Sequence, residues 1–347
     1  MRAALKSMFK KNITMERTLQ VIKLRDKVRD SIIMPFQIVR LNSALLRIPK
    51  VRALKNAGST SVEEYWGEHT INACPFFTAK ASLEYIDTLD KLYPLYYKYC
   101  GLYENKSGKI HLEYGCGPGN DVLGWMLYGK PKRLIAMDIS RKALEMARRR
   151  LALHVDEIDP SSVEFIQVSD NKAEIPQADN SVDTINCLGV LHHTSNPDDI
   201  LREFLRVLKP GGEARLMLYH ADSLYIHLCV AYELQVQQGF HPEMNVFDAY
   251  EAISDGGAPH SRCTTAEAFV NQANMLGFEA SFVGAAYNTT ELDSWKRVGL
   301  QAMNDERLKP EHREFLRNIA IDSRGYPMYK GREAGLDAVF SLKKPVR

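Results

Sequence analysis

The chemistry of this chain concentrates in one stretch, His111-Leu-Glu-Tyr-Gly-Cys-Gly-Pro-Gly-Asn-Asp121. Gly115, Gly117 and Gly119 let the backbone turn tightly and approach a ligand that side chains would exclude. A dinucleotide fingerprint starting at Gly115 needs glycine at position 120, where Asn stands. What stands here is an acid, Glu113, two residues ahead of three alternating glycines. A pyrophosphate wants a helix N-terminus with no acid beside it. An acid suits a ligand carrying an ammonium or sulfonium. Further on, His192-His193 and Tyr219-His220 close two apolar runs. With His241 and His260 they supply the neutral imidazoles, and one phenol, that could take a proton near pH 7. Each histidine could equally pack or hydrogen-bond within its loop. No set of carboxylates clusters with metal-ligand spacing, so no metal is expected.

These residues need elements to hold them. Apolar runs at Ile110–Tyr114, Arg133–Asp138, Val163–Val168, Val182–Leu188 and Glu213–Tyr219 read as strands. Between them lie helical patterns at 120–129, after the N-cap Ser140, and at Asp198–Leu208, which Lys-Pro-Gly-Gly at 209–212 must close. This alternation predicts an α/β fold, a Rossmann-like doubly wound, mostly parallel seven-stranded sheet. A helix at 222–238, a loop at 254–262, a helix at Thr264–Gly277 and strands at Phe278–Val283 and Leu336–Leu342 follow. Insertions are expected at about 222–263 and 287–335, the second mixed helical. The glycine loop then lies where an open sheet places its ligands, beyond the strand ends.

Composition bounds the rest. The 347 residues are 45% hydrophobic and 25% charged, ordinary for a globular chain and far from disorder, collagen or coiled coil. No run approaches the roughly 20 apolar residues of a membrane span. Six scattered cysteines form no C-x-x-C pair, which favours reduced thiols over a disulfide framework or zinc site. The start lacks the apolar core of a secretory signal, so a cytoplasmic, or membrane-peripheral, location is expected. Net charge is +2, but residues 1–60 hold 14 Lys/Arg against three acids. A basic helical extension (1–62), a helical cap or lid (63–108) and an acidic main domain (109–347) follow from that division. The basic segment suits an anionic membrane surface, a dimer contact or a mitochondrial presequence.

Together these residues resemble the class I S-adenosylmethionine-dependent methyltransferases. Glu113, Gly115, Gly117 and Gly119 match the family's first motif, and Asp138 the acid ending its second strand. Asn186-Cys-Leu-Gly-Val-Leu-His-His193 matches the fourth-strand motif, and Arg206-Val-Leu-Lys-Pro-Gly-Gly212 the one after the next helix. The resemblance covers roughly half the chain. It implies S-adenosylmethionine as cofactor, cradled by Gly115, Cys116, Gly117 and Gly119. Asp138, followed by Ile139, would accept both ribose hydroxyls. Asp170 or Asn171 would read the adenine amine, and the Leu188 and Gly189 carbonyls the methionine amine.

The expected activity is in-line methyl transfer to the oxygen of a small hydroxylated metabolite or sugar. One histidine among His192, His193 and His220 would serve as general base, with His193 first because it lies furthest along its loop. Tyr65, Trp66, Tyr219, His260 and Arg262 would contact the acceptor, with the loops 255–262 and 322–329 forming its polar wall. Tyr65 and Trp66 could equally be helix core. A nucleic-acid methyltransferase using the basic arm is the main alternative; the acidic body and the absence of an N-P-P-[YF] motif after the fourth strand argue against it. A non-catalytic Rossmann-like binding protein is the other. Deleting residues 1–60 is expected to abolish sedimentation with anionic liposomes while sparing cofactor binding; unchanged sedimentation would remove the membrane reading.

Overall fold

A computed structural model describes residues 61–346. The basic extension therefore lies outside the described residues, and the fold below begins at Ser61. That residue caps helix α1 (Val62–Glu68): its hydroxyl accepts from the Glu64 amide while the Glu64 carboxylate accepts from the Ser61 amide, each at 3.2 Å. Helix α2 (Ala79–Leu92), capped by Thr78, turns Tyr85, Ile86 and Leu89 inward. A single turn, α3 (Tyr96–Cys100), ends at Gly101 in the left-handed region.

The alternating core then runs β1 (Ile110–Tyr114), α4 (Asn120–Gly124, continuing as a wider π-helical turn to Gly129), β2 (Arg133–Asp138), α5 (Arg141–Leu151), β3 (Val163–Gln167), β4 (Val182–Leu188), α6 (Pro197–Val207) and β5 (Leu208–His220). Three of these strands have the bounds read from sequence. The fifth begins earlier, because Leu208 pairs with Val182 before the chain detours through Lys-Pro-Gly-Gly and rejoins β4 at Glu213. After it come α7 (Tyr225–Gln237, π-helical), α8 (Val246–Ile253), β6 (Cys263–Thr264), α9 (Ala266–Met275), β7 (Glu279–Ala286), α10 (Thr289–Asn304), α11 (Pro310–Arg317), β8 (Ile319–Ile321), β9 (Pro327–Tyr329), β10 (Arg332–Glu333) and β11 (Asp337–Lys343).

The main sheet has the order β3-β2-β1-β4-β5-β11-β7, with the two-residue β6 added beside the end of β5. Strands β3 through β5 are mutually parallel, and β11 alone runs antiparallel, to both β5 and β7. The doubly wound, mostly parallel sheet expected from the sequence is present. Strand order reverses between β1 and β4, which places the ligand crevice beyond their carboxyl ends. The segment 287–335 differs from the expected helical insertion: besides α10 and α11 it holds a separate antiparallel sheet, β10-β9-β8. Strands of two or three residues are too short to show alternation, and they depend on the turn in which the Asp322 carboxylate accepts from the Arg324 and Tyr326 amides. Helix α7 packs with α8, α10 and α11 around Leu228, Tyr232, Tyr250 and Phe315, and it is mostly apolar because most of its surface is buried, with Glu233 paired to Ser294 and Arg297. Among the described residues no helix is long and apolar enough to cross a membrane.

Helices α2 and α3 close over α4 and α5 through Tyr85, Ile86, Tyr97, Leu123 and Leu144. Buried Arg150 of α5 fastens them. It donates to the Ser82 hydroxyl and carbonyl, both at 2.8 Å, and to Asn120 Oδ1, while its guanidinium lies over the Phe76 ring. Arg150→Ala leaves these acceptors unmet in a buried place, so we expect a loss of about 2–4 kcal/mol in urea unfolding. A change under about 0.5 kcal/mol would show that the clamp is not structural.

Candidate functional site

A cavity of about 310 Å³ opens at the carboxyl ends of β1, β2, β4 and β5, with α1 and α2 over it. That is the size range of small-molecule sites. One half of it is made by the glycine loop. Gly115 and Gly117 line it in left-handed conformations that glycine alone adopts freely (φ +81° and +51°). A Cβ on Gly117 would meet nothing within 4 Å, so the backbone there faces open space. A Cβ on Gly119 would come within 2.8 Å of Ala147, so this third glycine serves loop-to-helix packing and does not line the cavity.

Asp138, at the end of β2, locks the loop. Its Oδ2 accepts from the Gly117 amide at 2.7 Å and its Oδ1 from the Ser140 amide at 2.8 Å. Each carboxylate oxygen keeps a second lone pair, so two hydroxyls can still bind. Burial pushes this carboxyl up, and those backbone donors oppose the shift. Ser140 also caps α5, accepting from the Ala143 amide at 3.2 Å. Cys116, Ile139, Asp170, Leu188 and Gly189 line the same half. Asp170 accepts from the Ser195 amide and hydroxyl. Asn171 turns away and donates to Glu63 at 3.1 Å. An open glycine backbone beside a buried carboxylate with spare acceptors fits a ribose-bearing, sulfonium-carrying cofactor.

Glu113 departs from expectation. It shares a face of β1 with His111, and both pack toward α4, where Trp125 Nε1 donates to the carboxyl. Burial, then the nearby Asp121 charge, pushes it well above the usual carboxylate range. It does not line the cavity, and its neighbour Tyr114 does. Period-two alternation turned the acid aside.

The other half of the cavity gathers around Asp255, a residue in left-handed conformation (φ +50°) just after α8. Its Oδ2 receives Tyr219 Oη at 2.7 Å, Ser254 Oγ at 3.0 Å and His193 Nε2 at 3.2 Å. Its backbone carbonyl accepts from Tyr65 Oη. Burial pushes this carboxyl up, but the hydrogen bonds from His193, Tyr219 and Ser254 outweigh it and hold it below the usual range. Trp66 lines the cavity with its ring 5.0 Å from that of His193. Tyr65 packs behind, its ring stacked on His69 at 4.2 Å.

Of the three histidines, His193 alone lines the cavity. Both its nitrogens face oxygens: Nδ1 lies 2.6 Å from the His260 carbonyl and Nε2 faces Asp255. Both nitrogens are thus engaged by the protein itself and neither is left free toward the cavity. His192 is buried behind it against the Tyr219 ring, its nitrogens without partners among the described residues. Burial, then the neighbouring His193, lowers its pKa well below the usual range. His220 is on the wrong face of β5: alternation sends Tyr219 to the cavity and His220 toward the Gly335 carbonyl and Phe282. The His260 side chain borders a second cleft with Glu63, Asn171 and Glu251. Arg262 braces the loop, donating to the Thr194 carbonyl at 2.8 Å. Residues 322–329 belong to the small sheet and do not line the cavity. Among the described residues no group of three potential metal ligands forms.

Among the cavity residues that the sequence did not point to are Asp255 as a hub, and Asp337. The latter lies at the start of β11, paired in register with Tyr219, and only 5% exposed. Burial and the Asp255 charge push its carboxyl up to about 7. The folded value exceeds the unfolded one, so the folded state holds a proton that the unfolded chain releases. Stability from this group is full below about pH 4 and falls as pH rises toward 7. Asp337→Asn removes the penalty, so its gain in melting temperature is expected to grow from pH 4.5 to pH 7 and then level off. Each kcal/mol would show as roughly 2–4 °C. A gain independent of pH would mean that the carboxyl is not titrating as placed.

Residues 112–216 match the model of the methyltransferase domain family. Among curated proteins, the chain is 33% identical over 122 residues to an uncharacterized 37.1 kDa protein in transposon TN4556 of Streptomyces fradiae, covering 35% of this chain and 33% of that protein. It is 28% identical over 125 residues to the ubiquinone biosynthesis O-methyltransferase of Chromobacterium violaceum, covering 36% of this chain and 50% of the relative. The Thiobacillus denitrificans protein of the same name is 30% identical over 125 residues, again 36% and 50%. The chain thus spans between a third and a half of these relatives' length. Among solved structures, the YcgJ protein of Bacillus subtilis superposes with a TM-score of 0.44 at 19% identity, covering 72% of this chain and 99% of that one. The family match covers the glycine loop, the acid-tipped second strand and the fourth-strand motif whose geometry is described above, and residues 112–216 are similar to a methyltransferase domain.

Proposed function

We propose that this chain methylates a hydroxyl oxygen of a small acceptor bound in the Trp66–Tyr219 half of the cavity. The observation that carries the proposal is continuity: the glycine loop with Asp138 and the Asp255–His193–Tyr219 cluster line one cavity. Two of the relatives above are O-methyltransferases by name, which supports oxygen as the methylated atom.

Bound S-adenosylmethionine supplies an electrophilic methyl group on a sulfonium. The chain's residues supply alignment and dryness. Asp138 would hold the ribose hydroxyls, the Gly115–Gly117 backbone would take the methionine portion, and Asp170 would read the adenine end. Trp66 and the tyrosines exclude water from the acceptor side. Asp255 is the group we assign to accept the acceptor's hydroxyl proton. Its three side-chain donors converge on Oδ2, which leaves Oδ1 without a donor among them. His193 and Tyr219 then act as positioning residues that hold this carboxylate in place.

Calorimetry should show saturable S-adenosylmethionine binding. Asp138→Ala should abolish it with the fold intact, since hydrogen bonds to a charged group contribute about 1.5–3 kcal/mol each. Asp255→Asn should leave that affinity within about twofold yet lower turnover in a methyl-acceptor screen by roughly 10²–10⁴, the range for loss of a general base. Unchanged affinity in the first variant would overturn the cofactor placement, and unchanged turnover in the second the assigned base.

A further inference from the structure

Five aspartates line the cavity, Asp121, Asp138, Asp170, Asp255 and Asp337, and among the described residues no Lys or Arg lines it. They are not equivalent. Asp138, Asp170 and Asp255 accept hydrogen bonds from protein donors. Asp121 feels the Arg150 cation. Asp337 has neither: among the described residues no hydrogen bond to its carboxyl is found, and the charge that acts on it is another carboxylate, Asp255. A buried carboxyl in that position is costly unless a ligand completes it.

The surroundings narrow what the ligand is. Tyr93 and Tyr96 line the same part of the cavity, their ring centroids 6.2 Å apart. Burial keeps both phenols protonated, with the Asp337 charge adding to the effect. Neutral phenol rings attract cations over their faces. An ammonium, with three donors and no acceptor, suits a carboxylate flanked by such rings. An acceptor bearing carboxylate or phosphate would meet like charge from Asp337 and Asp255.

We propose that the acceptor carries a protonated amine, which the Asp337 carboxylate holds against the Tyr93 and Tyr96 rings. This deepens the methyltransferase reading above and rests on it. A held ammonium has no lone pair, so the amine is an anchor and the methylated oxygen lies elsewhere on the acceptor. The antiparallel course of β11 is what makes the subsite, since it brings the first residue of that strand to the edge where the parallel strands end.

The test uses the full chain saturated with S-adenosylhomocysteine, titrated calorimetrically with three probes alike but for charge: tyramine (amine), tyrosol (neutral) and para-hydroxyphenylacetate (carboxylate). A short panel of alkyl and aryl amines extends the first probe. Amines should bind at least roughly tenfold more tightly than their neutral and anionic counterparts, the size expected of a desolvated cation among aromatic rings. In Asp337→Asn that preference should vanish while S-adenosylhomocysteine affinity and the far-UV spectrum stay unchanged. Binding of tyrosol or the carboxylate as tight as tyramine, or no binding of any amine, overturns the proposal. So does an Asp337→Asn variant that loses cofactor affinity but keeps its amine preference, which would assign Asp337 to the cofactor's methionine end. Failure of the wild-type chain to bind S-adenosylhomocysteine at all is a separate result, and overturns the reading beneath.

Discussion

One carboxylate oxygen, Asp255 Oδ2, sets the geometry of the acceptor side. Three donors from three places in the chain meet on it: His193 from the loop after β4, Tyr219 from the end of β5, and Ser254 beside it. The same residue's backbone carbonyl receives Tyr65, which ties α1 to the sheet edge. Without an ionised group here, the Tyr219 hydroxyl and the His193 ring would lose their common partner, and α1 would lose one of its links to the sheet. Hydrogen bonds to a charge are stronger than neutral ones, and more so away from water.

The cofactor side uses a carboxylate in a complementary way. Asp138 receives only backbone amides, from Gly117 and Ser140, and so fixes the loop without spending side-chain donors. Its remaining lone pairs stay available to a ligand. The two aspartates thus divide the work. One is saturated on a single oxygen, which holds structure and leaves its other oxygen open, and the other is half-satisfied on both oxygens to make structure and bind.

Much of this was legible in the sequence, because the relevant signals are local. Alternation of short apolar runs with helical faces gave the parallel half of the sheet, and glycine spacing with Asp138 gave the loop. The losses trace to period two and to non-local pairing. Whether an acid at a strand end faces ligand or helix depends on one residue of register, which is why Glu113 and His220 turned away while Tyr114 and Tyr219 turned in. Adjacent histidines looked alike on paper, yet His192 packs on Tyr219 while His193 reaches Asp255. Asp255 owes its place to a left-handed backbone in a loop, and no spacing rule points to an aspartate there. Asp337 was hidden differently: its strand was legible, its direction was not.

The direction of β11 also constrains how the molecule assembles. It lies between β5 and β7, yet it is the last of the described strands to leave the ribosome. Until residues 337–343 arrive, β7 has no partner in the sheet, and β5 presents an unpaired edge to solvent, the kind of edge that recruits strands from other chains. A nascent chain can form the glycine loop and the Asp138 contacts from residues already made. Only Asp337 must wait for the final strand. A translation stall or truncation ahead of residue 337 would therefore leave the Asp138 and Asp255 clusters without their third carboxyl, and a sticky edge where β11 should lie.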